Sequence, residues 1–409
     1  MPENPEELQA LTEYLEQDAY TGRFQEFERD QRWYDGSVDI EKLLPSLSRP
    51  HEIDPVVLPL AQTYINGFTD HMVNSNRRIV ADVDPRMVEK SGETEATHFS
   101  TMRGELLSMF HRRVNRVHED IRPDRNVAKF LGLRGMACKE LLFSQERHDE
   151  RGFGFTIEAH DPWTLLPDPS LRDKQFVIRK YQTTLGSAKR FMGPKADRAL
   201  AKLSESRRDW DLVDVTRYCD KDAWYTMIGD DWVEEGNNFG FLPYVFAYNG
   251  LGLSTDRARE TVDVHAVQSR SLLFGIRNIL EHAVRMDTSI WEAMRWGIWP
   301  IALGINLDND GEDDNTIDIR PGNLVPVRRE GADTDEDIEF RAKPPMDANI
   351  WHGLNRHQAW MDRAAGSGVL QGSTDRAQSS ALEFEQRLAQ ARLMFGEAME
   401  SVTSMDHFL

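Results

Sequence analysis

The run NLDNDGEDDNTI, residues 306–317, comes nearest in this chain to a set of metal ligands. A calcium loop of the helix-loop-helix kind needs oxygen ligands at alternate positions, a glycine at the sixth and a bidentate glutamate at the twelfth. Asn306, Asp308, Asp310 and Glu312 occupy ligand slots and Gly311 the sixth position, but Ile317 stands where the chelating glutamate is required. The run therefore reads as a solvated acidic turn between two short strands, INLD before it and TIDIR after it. Other chemistry is equally incomplete. Cys138 and Cys219 have no partner at a ligand spacing and read as buried free thiols. His352 and His357 are five apart, which does not place them on one helical face. Gly152-Phe-Gly154 lacks the third glycine of a dinucleotide fingerprint, and phosphate-loop, zinc-protease and nucleophile-elbow motifs do not occur. Carboxylates are so plentiful that any acid pair could be imagined as a glycosidase or nuclease centre, so none is informative. The expectation is a protein without catalytic residues, cofactor or metal, with an acid-rich hydrolase as the alternative.

The more telling pattern is the order of elements from residue 261 onward. Residues 261–296 hold almost no helix breaker and predict a single helix of about 36 residues, roughly 54 Å long. Val262, Ala266, Leu273, Ile276, Leu280, Ala283, Ile290 and Met294 recur at three- and four-residue steps and form one stripe. Val267, Phe274, Val284, Trp291 and Trp296 lie off that stripe and suit a helix touched on a second side. Arg270, Arg277, Arg285 and Arg295 alternate with Asp263, Glu281, Asp287 and Glu292, as where helices meet laterally. An ordinary buried helix gives the same stripe, and the segments C-terminal to it separate the two readings. An acidic segment with strand-like pieces (297–345) is succeeded by a shorter helix (346–364), a glycine-rich loop and an amphipathic helix (379–403). That last helix carries Ala381, Phe384, Leu388, Ala391, Phe395, Ala398 and Val402 as a packing seam.

Composition limits the partners. The 409 residues include 69 acids and 49 bases, a formal net charge of −20, and only eleven of the bases are lysine. Tight nucleic-acid binding requires the opposite sign, because affinity comes from neutralising phosphates. Passage of DNA past a repulsive wall is compatible with this charge. Acid excess with few lysines also suits solubility in concentrated salt, so a halophilic setting is expected. No apolar run is long enough for a membrane span, and the acidic start MPENPEELQ does not resemble a secretory signal.

The first 250 residues predict an α+β fold. Two acidic helices cover 5–36, and further helices are expected from Asp54-Pro55 to Asn74, over 98–119 and over 124–142, with a polar separator at 91–97. FTIEAHDPW and QFVIRKYQT change to a strand period, helices near 185–206 interrupt, and DLVDVTRYC, AWYTMIG and DWVEEGN form a meander turning at Gly229-Asp230. The meander is expected to close with GFLPYVFAYNG, residues 240–250.

Here the chain resembles the portal proteins of tailed viruses, whether of bacteria or of archaea. In that family a meander closes with Gly-x-x-Pro and a hydrophobic strand ending in Asn-Gly, and the stem helix then begins. Gly240, Pro243, Asn249 and Gly250 match those positions, and SSALEFEQRLAQARLMF (379–395) resembles the helix after the tunnel loop. The resemblance covers roughly 240–403 by motif and 30–240 by order of elements. It implies a wing at 1–250, a stem helix at 251–296, a small α/β clip at 297–345, a return stem helix at 346–365, a tunnel loop at 366–378 and a C-terminal wing helix at 379–409. Because the sequence stops at Leu409, the crown is expected to be minimal or absent.

The same resemblance implies a ring of about twelve copies at one capsid vertex. The ring would be assembled in the host cytoplasm and carried in the virion, as the channel for double-stranded viral DNA. Its expected partners are itself, the terminase large subunit, a head-tail adaptor and the major capsid protein, with no membrane. Ser367, Val369, Leu370, Gln371 and Ser373 would face the DNA, and Asp308, Asp310, Glu312, Asp313 and Asp314 would dock partners on the clip. Val262, Ala266, Leu273, Ile276, Leu280, Ile290 and Met294 would make the inter-subunit stem contacts. A head-tail adaptor ring of the same virion is the nearer alternative, although adaptors lack a long stem followed by a clip.

Overall fold

Capping and turn chemistry decide where the N-terminal elements start. In this computed structural model the described residues are 2, 4–39, 43, 56–74, 83, 85–117, 123–143, 155–170, 174–191, 197–204, 207–229, 231–236, 240–252, 264–298, 301–305, 324–327, 337–341, 355 and 395–408. Asn4 accepts from the Glu7 backbone N–H at 2.8 Å and opens α1 (Pro5–Tyr14), with Pro5 in the first turn where a missing N–H costs nothing. A π-helical turn, Leu15–Ala19, leads to α2 (Thr21–Asp35), so the two expected acidic helices are present. Next come α3 (Leu60–Asn74), α4 (Pro85–Ser91), α5 (Glu93–Val117) and α6 (Pro123–Arg134). Ala61, Tyr64, Ile65 and Phe68 of α3 are buried, as their spacing predicted. The polar stretch expected as a separator is helical from Glu93 onward, and only Gly92, at φ 85°, interrupts.

The expected helix over 124–142 is half strand. Helix α6 stops at Arg134, Gly135 takes φ 72°, and β1 (Met136–Phe143) follows. Strand β1 is buried on both faces, so MACKELLF lacks the alternation that separates a strand from a helix in sequence. It pairs antiparallel with β2 (Phe155–His160) on one side and with β8 (Tyr244–Tyr248) on the other. The segment 240–250 therefore belongs to this three-stranded sheet and does not extend the meander.

The meander is a five-stranded antiparallel sheet in the order β3 (Leu165–Pro167), β4 (Phe176–Thr184), β5 (Leu212–Asp220), β6 (Ala223–Ile228) and β7 (Asp231–Gly236). Between β4 and β5 the chain forms α7 (Leu185–Phe191) and α8 (Asp197–Ser204), as the helical pattern near 185–206 predicted. Residues two apart share a face. One face of the sheet packs Leu166, Ile178 and Tyr218 against Leu8, Leu15 and Tyr20. On the other, Val177 and Cys219 meet Cys138 and Tyr244 of the smaller sheet, and Val213, Ile228 and Val233 meet Leu185, Ala188 and Leu200. The opposite face of β1 lies on α6, where the Lys139 Nζ reaches the Asp124 Oδ1 at 3.2 Å. Cys138 and Cys219 are buried free thiols, as expected. In its described residues the protein is thus a mixed helix and antiparallel-sheet fold.

The unbroken helix expected over 261–296 is two helices. Helix α9 (Val264–Gln268) and α10 (Arg277–Ile298) flank a turn segment at 269–276. In that segment the backbone is taken by partners outside the helix. The Leu272 N–H donates to the Gly132 carbonyl at 2.9 Å, and the Asn249 Nδ2 donates to the Arg270 carbonyl at 2.6 Å. Ser271 Oγ accepts from the Leu273 and Phe274 N–H groups at 3.1 and 3.2 Å, a side-chain turn that competes with helix continuation.

Beyond α10, β9 (Ile301–Ile305) is central in a second three-stranded sheet, parallel to β10 (Leu324–Val327) and antiparallel to β11 (Asp337–Arg341). The expected strands INLD and TIDIR lie outside the described residues except for Ile305, and so does the expected return helix except for Asn355, which is helical. The described part of the last helix is α11 (Gly396–Phe408), which runs past the expected end at 403 and buries Phe395, Ala398, Val402 and Met405. The chain divides into two compact units, one of residues 1–34, 62–274 and 368–409, the other of 35–61 and 275–367. Among the described residues no helix is long and apolar enough to cross a membrane.

Gly135 allows the close approach at the break. A Cβ there would lie 2.3 Å from the Arg270 carbonyl oxygen, and a side chain is disfavoured at its φ in any case. Gly135→Ala is expected to lower unfolding free energy by at least about 2 kcal/mol in denaturant titration. Gly92→Ala, also at positive φ but with nothing within 4 Å, is expected to cost only about 1 kcal/mol.

Candidate functional site

The four residues of the Gly-x-x-Pro and Asn-Gly pattern enclose β8, and each has a definite structural task. Gly240 turns the chain at φ 68°, and the Pro243 carbonyl accepts from the Leu141 N–H at 2.9 Å, carrying the β1–β8 ladder one step further. Asn249 is 4% exposed and bonded on every side. Its N–H donates to the Gly135 carbonyl at 3.0 Å, and its Nδ2 donates to the Arg270 and Leu131 carbonyls at 2.6 and 3.4 Å. Its Oδ1 accepts from the Leu251 N–H at 3.0 Å. One side chain thus ties the end of α6, the end of β8 and the turn before α10. Gly250, at φ 77°, leaves room for Glu397 of α11, and the Tyr248 N–H donates to Ser401 Oγ at 2.9 Å on the same helix. The chain leaves this junction toward α9 and α10, and its last helix returns to it.

At the opposite end of β8 lies a buried charge cluster that the sequence reading missed. Glu140 on β1 has no exposed side-chain surface. Its Oε2 is 2.5 Å from His160 Nε2 and 3.4 Å from Arg179 Nη1, while its Oε1 accepts from the Tyr244 hydroxyl at 2.6 Å and lies 3.6 Å from Arg217 Nη1. Burial pushes this carboxyl up, but the hydrogen bond and charge of His160, then Arg217 and Arg179, outweigh it and hold the group down at about 2. Burial and the neighbouring Glu140 charge push the Tyr244 hydroxyl well up, and the same two causes raise Cys138 and Cys219. Both thiols are held protonated, which removes them as nucleophiles. Both carboxylate oxygens are engaged, so Glu140 works as a fixed anion that pins β4 and β5 to β1. Its sequence signal was an arginine at an apolar parity position, twice: Val177 then Arg179, and Val215 then Arg217 before Cys219. A cavity of about 10 Å³ beside Tyr20, Arg23, Lys174 and His265 has room for a single water.

The proposed site residues fall in three groups. Ser367, Val369, Leu370, Gln371 and Ser373 of the loop lie outside the described residues, as do Asp308, Asp310, Glu312, Asp313 and Asp314. Of the stem set, Val262 is outside them, Ala266 and Met294 are half-buried, and Leu273, Ile276, Leu280 and Ile290 are buried within the single chain. Those four side chains are covered within the single chain, and so are Ala283 and Val284. Exposed apolar surface falls instead to Phe274, 42% exposed beneath the Arg270 guanidinium, and Trp291, 49% exposed on α10. Periodicity identified the buried stripe correctly as a packing face but not which partner fills it. Among the described residues no group of His, Cys, Asp or Glu could hold a metal ion. No protein-family model matches the chain, and no match to it is found among the curated proteins.

Two outcomes test this geometry. Glu140 contributes stability fully above its unfolded value of 4.5, and the contribution is lost as pH falls toward its folded value of about 2. The wild-type unfolding free energy should therefore fall steeply across that window, by on the order of 3 kcal/mol. In Glu140→Gln this component should vanish, and stability at neutral pH should drop by about 3–5 kcal/mol because two arginines lose their buried counter-charge. At the junction, Asn249→Ala should cost about 2–3 kcal/mol in the same titration. Asn249→Asp should cost more, since it keeps the acceptor for Leu251 but sets an anion against the Arg270 carbonyl.

Proposed function

We propose that this chain is the portal subunit of a tailed virus, forming a ring at one capsid vertex through which double-stranded DNA enters and leaves. The observation that carries the reading is the out-and-back path of the chain. It leaves the α+β body after Asn249-Gly250, builds α10 and a small three-stranded sheet in a separate unit, and ends in α11 against the strand it departed from. A stem, a clip and a returning wing helix require that path. The acidic balance supports it as well, since a channel that passes DNA must not grip phosphates. On this reading the tunnel loop around Gly366 to Ser373 faces the DNA, and the acidic clip docks the terminase and the head-tail adaptor. Translocation is driven by the separate ATP-consuming terminase, because this chain carries no phosphate-loop motif.

A cyclic ring is heterologous: one face of each subunit meets a different face of the next. With Leu280 and Ile290 buried within the single chain, the contacts along α10 fall to its exposed side, with Trp291 as the apolar anchor. Purified protein in concentrated salt should form rings with a central hole in negative-stain images, with a mass near twelve times the 47.1 kDa chain. Trp291→Asp should reduce the ring fraction without shifting the thermal midpoint of the subunit. A monodisperse 47.1 kDa particle at every salt concentration would overturn the reading.

A further inference from the structure

Helix α5 exposes more apolar side chain than a surface helix needs. Phe99 is 57% exposed, Met102 55%, Leu106 66% and Met109 69%. These four succeed each other at steps of three, four and three, which makes a single seam along the helix. The opposite face, Ala96, Ser100 and Gly104, is already buried within the chain. An apolar seam of this length on the water side marks a contact surface.

The charges at the two ends of α5 indicate what covers it. Glu93 and Glu95 stand in the first turn, whereas Arg112, Arg113 and Arg116 stand near the other end, a rare basic group in a chain of net charge −20. We propose that the seam is covered by α5 of a second copy of this chain, running antiparallel about a two-fold axis at position 104. In that register 99 lies opposite 109 and 102 opposite 106, so apolar positions meet only apolar positions. The flanking position 95, a glutamate, lies opposite 113, an arginine, at both ends. A parallel copy would set arginine against arginine. At the centre Arg103 meets its own copy on one flank and Glu105 meets its own on the other. Both are exposed, so solvent screens these like-charge contacts. A two-fold contact uses a different symmetry operator from a cyclic one, so this pairing stands independently of the ring.

Three sets of variants of the full chain test it, at about 0.1 M salt where end charges still act across roughly 10 Å. Met102→Glu with Leu106→Glu should weaken self-association by at least about a hundredfold in sedimentation, with the thermal midpoint of the subunit unchanged because both sites are exposed. Arg113→Glu alone should weaken it about tenfold, and adding Glu95→Arg should restore it, a rescue available only to a self-complementary pair. For register, a mixture of Phe99→Cys and Met109→Cys subunits should form a disulfide-linked dimer, whereas Phe99→Cys alone should not. The native thiols are buried and stay out of this reaction. Unchanged association of the double glutamate variant, failure of the charge swap to rescue, or crosslinking of Phe99→Cys with itself would each overturn the proposal. Trp291→Asp should leave this pairing intact, which separates its failure from failure of the ring.

Discussion

Removing a carboxylate from water costs several kcal/mol, and Glu140 recovers that cost only when His160, Tyr244, Arg179 and Arg217 all reach it together. These partners come from four different strands, so the cluster is complete only if the three-stranded and five-stranded sheets meet in one register. A slip of one residue on β4 or β5 would turn Arg179 or Arg217 to the opposite face and leave the anion short of a counter-charge. Apolar contacts such as Val177 and Cys219 against Cys138 tolerate small shifts. The charge cluster does not, and it therefore fixes the geometry of the body while the apolar layers supply most of its stability.

That fixed body makes the junction beyond β8 a defined point of departure. Asn249 can bond three separate segments only because β8 is locked to β1 and α6 ends at Gly135. The turn at 269–276 is a consequence, since Asn249 and Gly132 take backbone groups that an uninterrupted helix would have used itself. Helix α11 then closes on Tyr248 and Gly250. The chain thus departs for the second unit and ends its course at one place on the first, and that place is held by side-chain and backbone bonds on every side.

Surface and charge complete the picture. The Glu140 cluster compensates its charges in the interior, whereas the chain as a whole is strongly acidic, and exposed apolar side chains include those of α5, Trp210, Phe241, Phe274 and Trp291.

Local chemistry was legible in the sequence wherever a segment's structure depends on its own residues. The two N-terminal helices, the meander from Leu212 to Gly236, the interruption by α7 and α8, the inward face of α3 and the two buried thiols all come from period, turn residues and composition. The tertiary structure alone decided the rest. It made 136–143 a strand because β2 and β8 flank it, moved 244–248 to that sheet, broke the helix at 269–276 through Asn249, and buried Leu280 and Ile290 within the single chain. It also assembled Glu140 with Tyr244, 104 positions away. Hydrogen-bond and charge partners so distant leave no periodic trace in sequence, because periodicity records which face is covered and never by what.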